Sequence, residues 1–213
     1  MKTSLCTCIL LVLFSCSDTK KPAVAEKPKL HPQPAIPGLL KTEDAVLKNW
    51  TDYYTSIEPA FSPDSFKLVS TDAISPISGN VPGSFDKNFD KRYLDFLVYN
   101  PTKNKYIDFD SYQWGFDENG QPEFSPDQEV NLVDLNKKTV SRIAFRGPSQ
   151  WIEDAFWKND STVVLLENND ENYPLITLID LVGGTAYTYR YGHSLAAESE
   201  YSALRIAKKG VNF

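Results

Sequence analysis

The stretch 151-WIEDAFWKNDSTVVLLENNDENYPLITLIDLVGGTAYTYRY-191 decides how this chain folds. Apolar, β-branched and aromatic residues crowd into residues 151–157, 162–166, 175–181 and 185–191, runs of strand length. Two breaks, Lys158-Asn159-Asp160-Ser161 and Val182-Gly183-Gly184, have the polar and glycine-rich character that reverses a strand. The segment reads as a four-strand antiparallel meander.

The same pattern extends toward the N-terminus. Residues 93–99 and 105–109 flank Asn100-Pro101-Thr102-Lys103-Asn104, and residues 130–135 and 139–145 flank Asn136-Lys137-Lys138. Each pair predicts a hairpin, so the expected fold class is all-β: an antiparallel β-meander, either propeller-like or an open sheet or sandwich. Ahead of it, Val46, Trp50, Tyr53 and Ile57 recur at helical spacing, widened by Leu47 and Tyr54. Thr42 is the expected N-cap, Glu43 and Asp44 suit the first turn, and Pro59 closes the element. A helix over about residues 42–57 is therefore expected to pack on the sheet. Residues 194–213 fit either a short helix or an edge strand.

A weak internal repeat runs through the strands. VNLVDLNKKTVSRI at residues 130–143 aligns with ITLIDLVGGTAYTY at residues 176–189, matching Asp134 to Asp180, Leu135 to Leu181 and Thr139 to Thr185. The aspartate is placed to accept hydrogen bonds from turn amides, and the threonine to start the returning strand. With its four-strand meander, this pattern resembles one blade of a β-propeller of the WD or kelch kind. Residues 93–109 and 130–145 would supply partial blades, short of the four or more that closure requires.

The N-terminus carries a different message. Lys2 precedes an apolar run from Leu5 to Phe14, which ends at Ser15-Cys16 and is followed by Ser17-Asp18-Thr19-Lys20-Lys21. The run is shorter than the roughly 20 residues a spanning helix needs, and reads as an export signal. Leu13-Phe14-Ser15-Cys16 resembles the lipobox of bacterial outer-membrane lipoproteins of the Bacteroidota kind. That resemblance implies a signal peptide over residues 1–15 and a lipidated Cys16 as first residue of the mature chain. It also implies a lipid bilayer as partner and the cell outer membrane as location, with the facing side open. Residues 16–38 follow as lipidated Cys and Pro-rich linker, with Pro22, Pro28, Pro32, Pro34 and Pro37 favouring extended chain of about 3.1 Å per residue. Residues 39–213 form a single, mainly β domain.

Composition narrows the chemistry. Cys6 and Cys8 fall in the signal and Cys16 would carry lipid, so the folded part has no thiol for a disulfide, a metal site or a nucleophile. The chain has net charge −6, a balance that argues against a nucleic-acid partner. His193 stands alone in the folded part, too few imidazoles for a zinc site without carboxylates, and neither a metal nor a cofactor is expected. The carboxylates Asp108 and Asp110 share a strand face and are the candidates for acid chemistry. Glu153 and Asp154 point to opposite faces if their strand is regular. The aromatic residues Trp114, Trp151, Trp157, Tyr187, Tyr189 and Tyr191 form the candidate binding surface, for stacking on a sugar or for a protein interface. The favoured function is a membrane-tethered, non-catalytic binding or assembly component of the envelope, with another envelope protein as partner. The alternative is a glycan-binding or glycan-active surface protein, and enzymatic activity is left open.

Overall fold

The computed structural model describes residues 44–211. The export segment, Cys16, the Pro-rich linker and Thr42 lie outside the described residues. Helix α1 (Ala45–Ile57) starts at Asp44, whose carboxylate accepts from the amides of Val46 and Leu47 at 2.8 and 3.4 Å. These are donors that a first helical turn leaves without internal partners. The helix buries Leu47, Trp50 and Tyr54, with Val46 and Tyr53 half-buried beside them. The apolar face is thus turned slightly from the expected stripe, toward its wider members.

The strands are β1 (Lys67–Ala73), β2 (Ile77–Ser78), β3 (Val98–Tyr99), β4 (Lys105–Asp108), β5 (Trp114–Phe116) and β6 (Pro122–Phe124). They continue with β7 (Gln128–Asp134), β8 (Thr139–Arg146), β9 (Gln150–Asn159), β10 (Thr162–Asn169), β11 (Leu175–Asp180) and β12 (Thr185–Arg190). A short helix, α2 (Tyr201–Ala207), follows, resolving the open reading of the tail in favour of helix. One five-stranded sheet runs β1-β12-β11-β10-β9 and a second runs β2-β8-β7-β4-β3, while β5 and β6 pair alone. The ladders within both sheets and in the β5–β6 pair are antiparallel.

The fold is therefore mainly antiparallel β with an N-terminal helix against it, and its sheets are open. The propeller-like arrangement is corrected here. The first sheet ends at β1 and β9 and the second at β2 and β3, so neither ring nor blade array closes. The internal repeat is instead a repeated hairpin. Asp134 accepts from the amides of Asn136 and Lys137 at 3.0 and 2.9 Å, and Asp180 from those of Val182 and Gly183 at 3.0 and 2.9 Å. The residues before the returning strands, Lys138 and Gly184, share a left-handed φ of 52° and 63°. Such a turn is local chemistry that recurs without any blade architecture around it.

One predicted strand is different. Residues 91–96 form a 3₁₀ helix, and only Val98–Tyr99 is strand. Asp90 caps that helix by accepting from the Arg92 amide at 2.9 Å. Tyr93 and Phe96, three residues apart and hence on one side of a 3₁₀ turn, then both pack on Trp114. A run of mixed aromatic and aliphatic residues satisfied the strand pattern without being one.

Side-chain alternation builds the layers. In β10, Val164 and Leu166 join the cluster under α1, whereas Val163 and Leu165 join the cluster shared with Ile107, Phe109 and Val130 of the second sheet and its flank. In β11 and β12, Ile176, Leu178, Tyr187 and Tyr189 likewise face the helix. The first sheet is thus covered on both faces, which is why β10 reads as a continuous apolar run. Leu165→Ala, in this central strand, should cost about 3 kcal/mol through lost burial and an incompletely collapsed cavity. Val182→Ser, in the exposed β11–β12 turn, should cost under about 0.5 kcal/mol. Urea denaturation of the two variants measures both, and equal midpoints would contradict the layering.

Candidate functional site

The residues with the most distinctive chemistry lie where α1, α2 and the edge strand β9 meet. Strand β9 is irregular there. Leu166 pairs with Asp154 and Glu167 with Ile152, so Glu153 is an extra, bulged residue. The bulge breaks the alternation that would send neighbouring acids to opposite faces. Glu153 reaches α1, and Asp154 accepts a hydrogen bond from the Tyr201 hydroxyl of α2 at 3.3 Å.

Glu153 is fully buried and surrounded by donors. Trp50 Nε1 donates to it at 2.6 Å, the Tyr54 hydroxyl lies 2.8 and 3.0 Å from its two oxygens, and the Ser199 hydroxyl also donates. Asn168 Nδ2 in turn donates to the Tyr54 oxygen at 2.9 Å. Burial pushes the Glu153 carboxyl up to about 7, against the opposing pull of its hydrogen bonds from Ser199, Trp50, Tyr54 and Trp151. Tyr54 is raised by the same burial and by the neighbouring carboxylate.

A second buried charge sits close by. Arg205 of α2 forks onto Asp110, with Nη2 and Nη1 at 2.7 and 3.1 Å from its oxygens, and Trp114 Nε1 donates to the same carboxylate at 3.0 Å. Asp108 accepts from the amides of Asp110 and Ser111 and from the Ser111 hydroxyl, fixing the chain after β4. Burial raises the Asp108 and Asp154 carboxyls from their ordinary range. Lys209 is lowered by burial and by the adjacent Arg205. Above these groups a cleft of about 380 Å³ opens between α1 and α2, lined by Asn49, Tyr53, Asp154, Tyr201, Arg205 and Lys208 among others.

The structure brings Trp114, Asp110 and Asp108 together, and Arg205, unmarked in the sequence, binds Asp110. The other candidates lie elsewhere. Tyr187, Tyr189 and Tyr191 are 6, 3 and 2 % exposed and pack in the core beneath α1, with Tyr191 against Phe61 and Phe66. Trp157 is buried between the sheets, and its Nε1 donates to the Val98 carbonyl at 2.8 Å, tying the edge of one sheet to the edge of the other. Trp151 is half-buried and hydrogen-bonds Glu153. Asp117 accepts from the Asn119 and Gln121 amides, both at 2.8 Å, in the tight turn joining β5 to β6. The imidazole of His193 stands 3.8 Å from the Glu58 carboxylate on an exposed surface.

No protein-family model, no curated protein and no solved structure matches this chain. The resemblances to Bacteroidota outer-membrane lipoproteins and to propeller repeats are corrected accordingly. They rested on a four-residue motif and on hairpin turns, and neither leads to a relative by sequence or by fold.

Folding lifts the Glu153 carboxyl from 4.5 to about 7. Between these values the folded chain keeps a proton that the unfolded chain has released. Stability from this group is therefore full below pH 4.5, falls as pH rises to about 7, and is level above that. Glu153→Gln keeps the volume and the neutral hydrogen-bonding pattern. It should flatten this slope, a difference of at most about 3 kcal/mol across the window. Urea denaturation at a series of pH values reads it, and identical slopes in the two proteins would assign the pH dependence to other groups.

Proposed function

We propose that this chain is a non-catalytic binding or assembly domain, held at a membrane of the cell envelope by a tether that ends at an acylated Cys16. The tether rests on the apolar run Leu5 to Phe14 that ends at Ser15-Cys16, and the non-catalytic role on what the buried acids do. Glu153 joins α1 to β9 and to the segment before α2, and Asp110 joins the chain after β4 to α2. Glu129 takes Arg142 at 2.8 Å, and Glu167 takes Arg146 at 2.6 Å and Thr177 at 2.5 Å. A general acid or base needs a proton-transfer partner among the reacting atoms, within hydrogen-bond reach. These carboxylates instead spend their acceptor capacity on the chain's own donors. Layers whose buried carboxylates are bonded within the chain suit a surface that holds a partner in place.

The tether and the holding role are tested together in the native cell. Metabolic labelling with a palmitate analogue should mark the wild type and leave Cys16→Ser unmarked and released from membranes. Purification of the full chain in mild detergent should recover a partner in fixed stoichiometry from the wild type and, below its melting temperature, from Glu153→Gln. Labelling that persists in Cys16→Ser would refute the tether. A phenotype of Glu153→Gln at normal abundance, with partner recovery intact, would point to chemistry at that carboxyl and overturn the non-catalytic reading.

A further inference from the structure

The layer between the two sheets is apolar at one end and polar at the other. On the face of the first sheet that looks toward the second, Val163, Leu165 and Ile179 are core. One row of that face is made of hydroxyls. Ser70 of β1 pairs with Thr188 of β12, and Thr188 pairs with Thr177 of β11, so three hydroxyl residues stand in register across adjacent strands. Thr177 and Thr188 oxygens are 3.2 Å apart, and Thr177 donates to the buried Glu167 at 2.5 Å. Glu167 is held in turn by Arg146 Nε at 2.6 Å. Ser70 donates to Asp72 at 2.5 Å, so the protons of the row are engaged within the chain and its oxygens remain as acceptors.

Beside this row lies a cleft of about 460 Å³. Thr177, Thr188, Ile179 and Ala186 form its floor. Val69, Ser70, Asp72 and Ile74 line one side, and Ile143, Ala144, Arg146 and Gln150 the other. The cleft is lined by hydroxyl and amide groups and the exposed Asp72 carboxylate beside short apolar surfaces, and its guanidinium is paired with Glu167. With their protons engaged, these hydroxyl oxygens and the Asp72 carboxylate accept, and so match a ligand rich in O–H donors.

We infer that this cleft binds a neutral, multiply hydroxylated ring, the chemistry of a sugar unit. Ser70 and Thr188 bond its hydroxyls, Thr177 holds Thr188 from the buried floor, and the exposed Val69 and half-buried Ala186 meet its carbon face. Gln150 closes the polar rim. The Arg146–Glu167 pair is charge-balanced and Asp72 adds a negative charge, so the cleft offers no surplus for an anion. The inference rests on reading the domain as a binding module and supplies its ligand class. The volume exceeds that of a single ring, so a free monosaccharide and the end of a glycan share this chemistry. The aromatic residues first considered for sugar stacking play no part, since the cleft lies on the opposite face of the sheet from Tyr187 and Tyr189.

The test is a titration of the full, isotope-labelled chain in detergent, followed by amide chemical shifts. The probes are D-glucose, D-galactose, D-mannose, N-acetyl-D-glucosamine, maltose, lactose and cellobiose, with sodium phosphate and sodium acetate as anionic probes. At least one sugar should give saturable shifts at Ser70, Thr177 and Thr188. Binding by monosaccharides identifies the free sugar, and binding by disaccharides alone identifies a glycan end. Thr188→Val should weaken that binding about tenfold, the loss of one hydrogen bond, as should Ser70→Ala on the exposed edge strand. Both variants should melt close to the wild type. The inference is overturned if no sugar shifts these amides, if Thr188→Val and Ser70→Ala bind unchanged, or if phosphate or acetate saturates the same amides more tightly. Failure here with a protein partner still recovered from the envelope leaves the binding-module reading standing. Loss of that partner recovery, with sugar binding intact, does the reverse.

Discussion

The Glu153 carboxyl group is the point on which the helix, the edge of the first sheet and the C-terminal segment converge. A carboxylate removed from water is costly, and its neutral form is costly too unless every lone pair is used. Trp50 and Tyr54 of α1 and Ser199 of the segment before α2 use them, from two stretches far apart in the chain. The geometry of α1 on the sheet is thereby specified by directional bonds as well as by apolar area. Aromatic burial alone, with Trp50, Tyr54, Phe61 and Phe66 in edge and stacked contacts, would tolerate sliding and rotation. The carboxyl makes one arrangement unique.

What was legible in the sequence was local. The β7–β8 and β11–β12 hairpins were readable because an aspartate that caps its own turn leaves a mark within a few residues. The helix start was readable to within a residue or two, and Asp44 rather than Thr42 supplies the observed cap among the described residues. The open sheets were legible as a class, but their order was not. The β1–β12 pairing joins distant parts of the chain, and nothing in residues 67–73 names β12 as partner. Likewise the 3₁₀ turn at residues 91–96 and the strand pattern share composition, and only the position of Trp114 separates them.

The site was hidden for a related reason. Reading Glu153 and Asp154 as opposed neighbours assumes a regular strand, and a bulge is a tertiary event that a single sequence does not announce. The apolar run Ala155-Phe156-Trp157 beside it gave no trace, since these residues alternate regularly between the two covered faces of the sheet. Arg205 gave no signal, because an arginine in a seven-residue helix reads as solvated until Asp110 is found beneath it. The tyrosine row of β12 was recognised as one face of a strand, and whether that face met solvent or α1 depended on packing beyond the strand.

The two faces of the first sheet put polar groups to different uses. Under α1, the polar atoms around Glu153 are enclosed and mutually satisfied, so they serve specificity of packing and present nothing outward. Between the sheets, the hydroxyl row is carried to the mouth of a cleft, where Thr188 and Ser70 are half-buried and within reach of a solute. The same strand, β12, supplies both: Tyr187 and Tyr189 to the sealed face, Ala186 and Thr188 to the open one. Period-two alternation thus lets a single strand help lock the fold on one side while the other side is free to recognise a ligand. Anchoring the sheet firmly on its helical face is what keeps the hydroxyl row in register on the opposite one, because a slip of β12 by one residue would exchange the two sets.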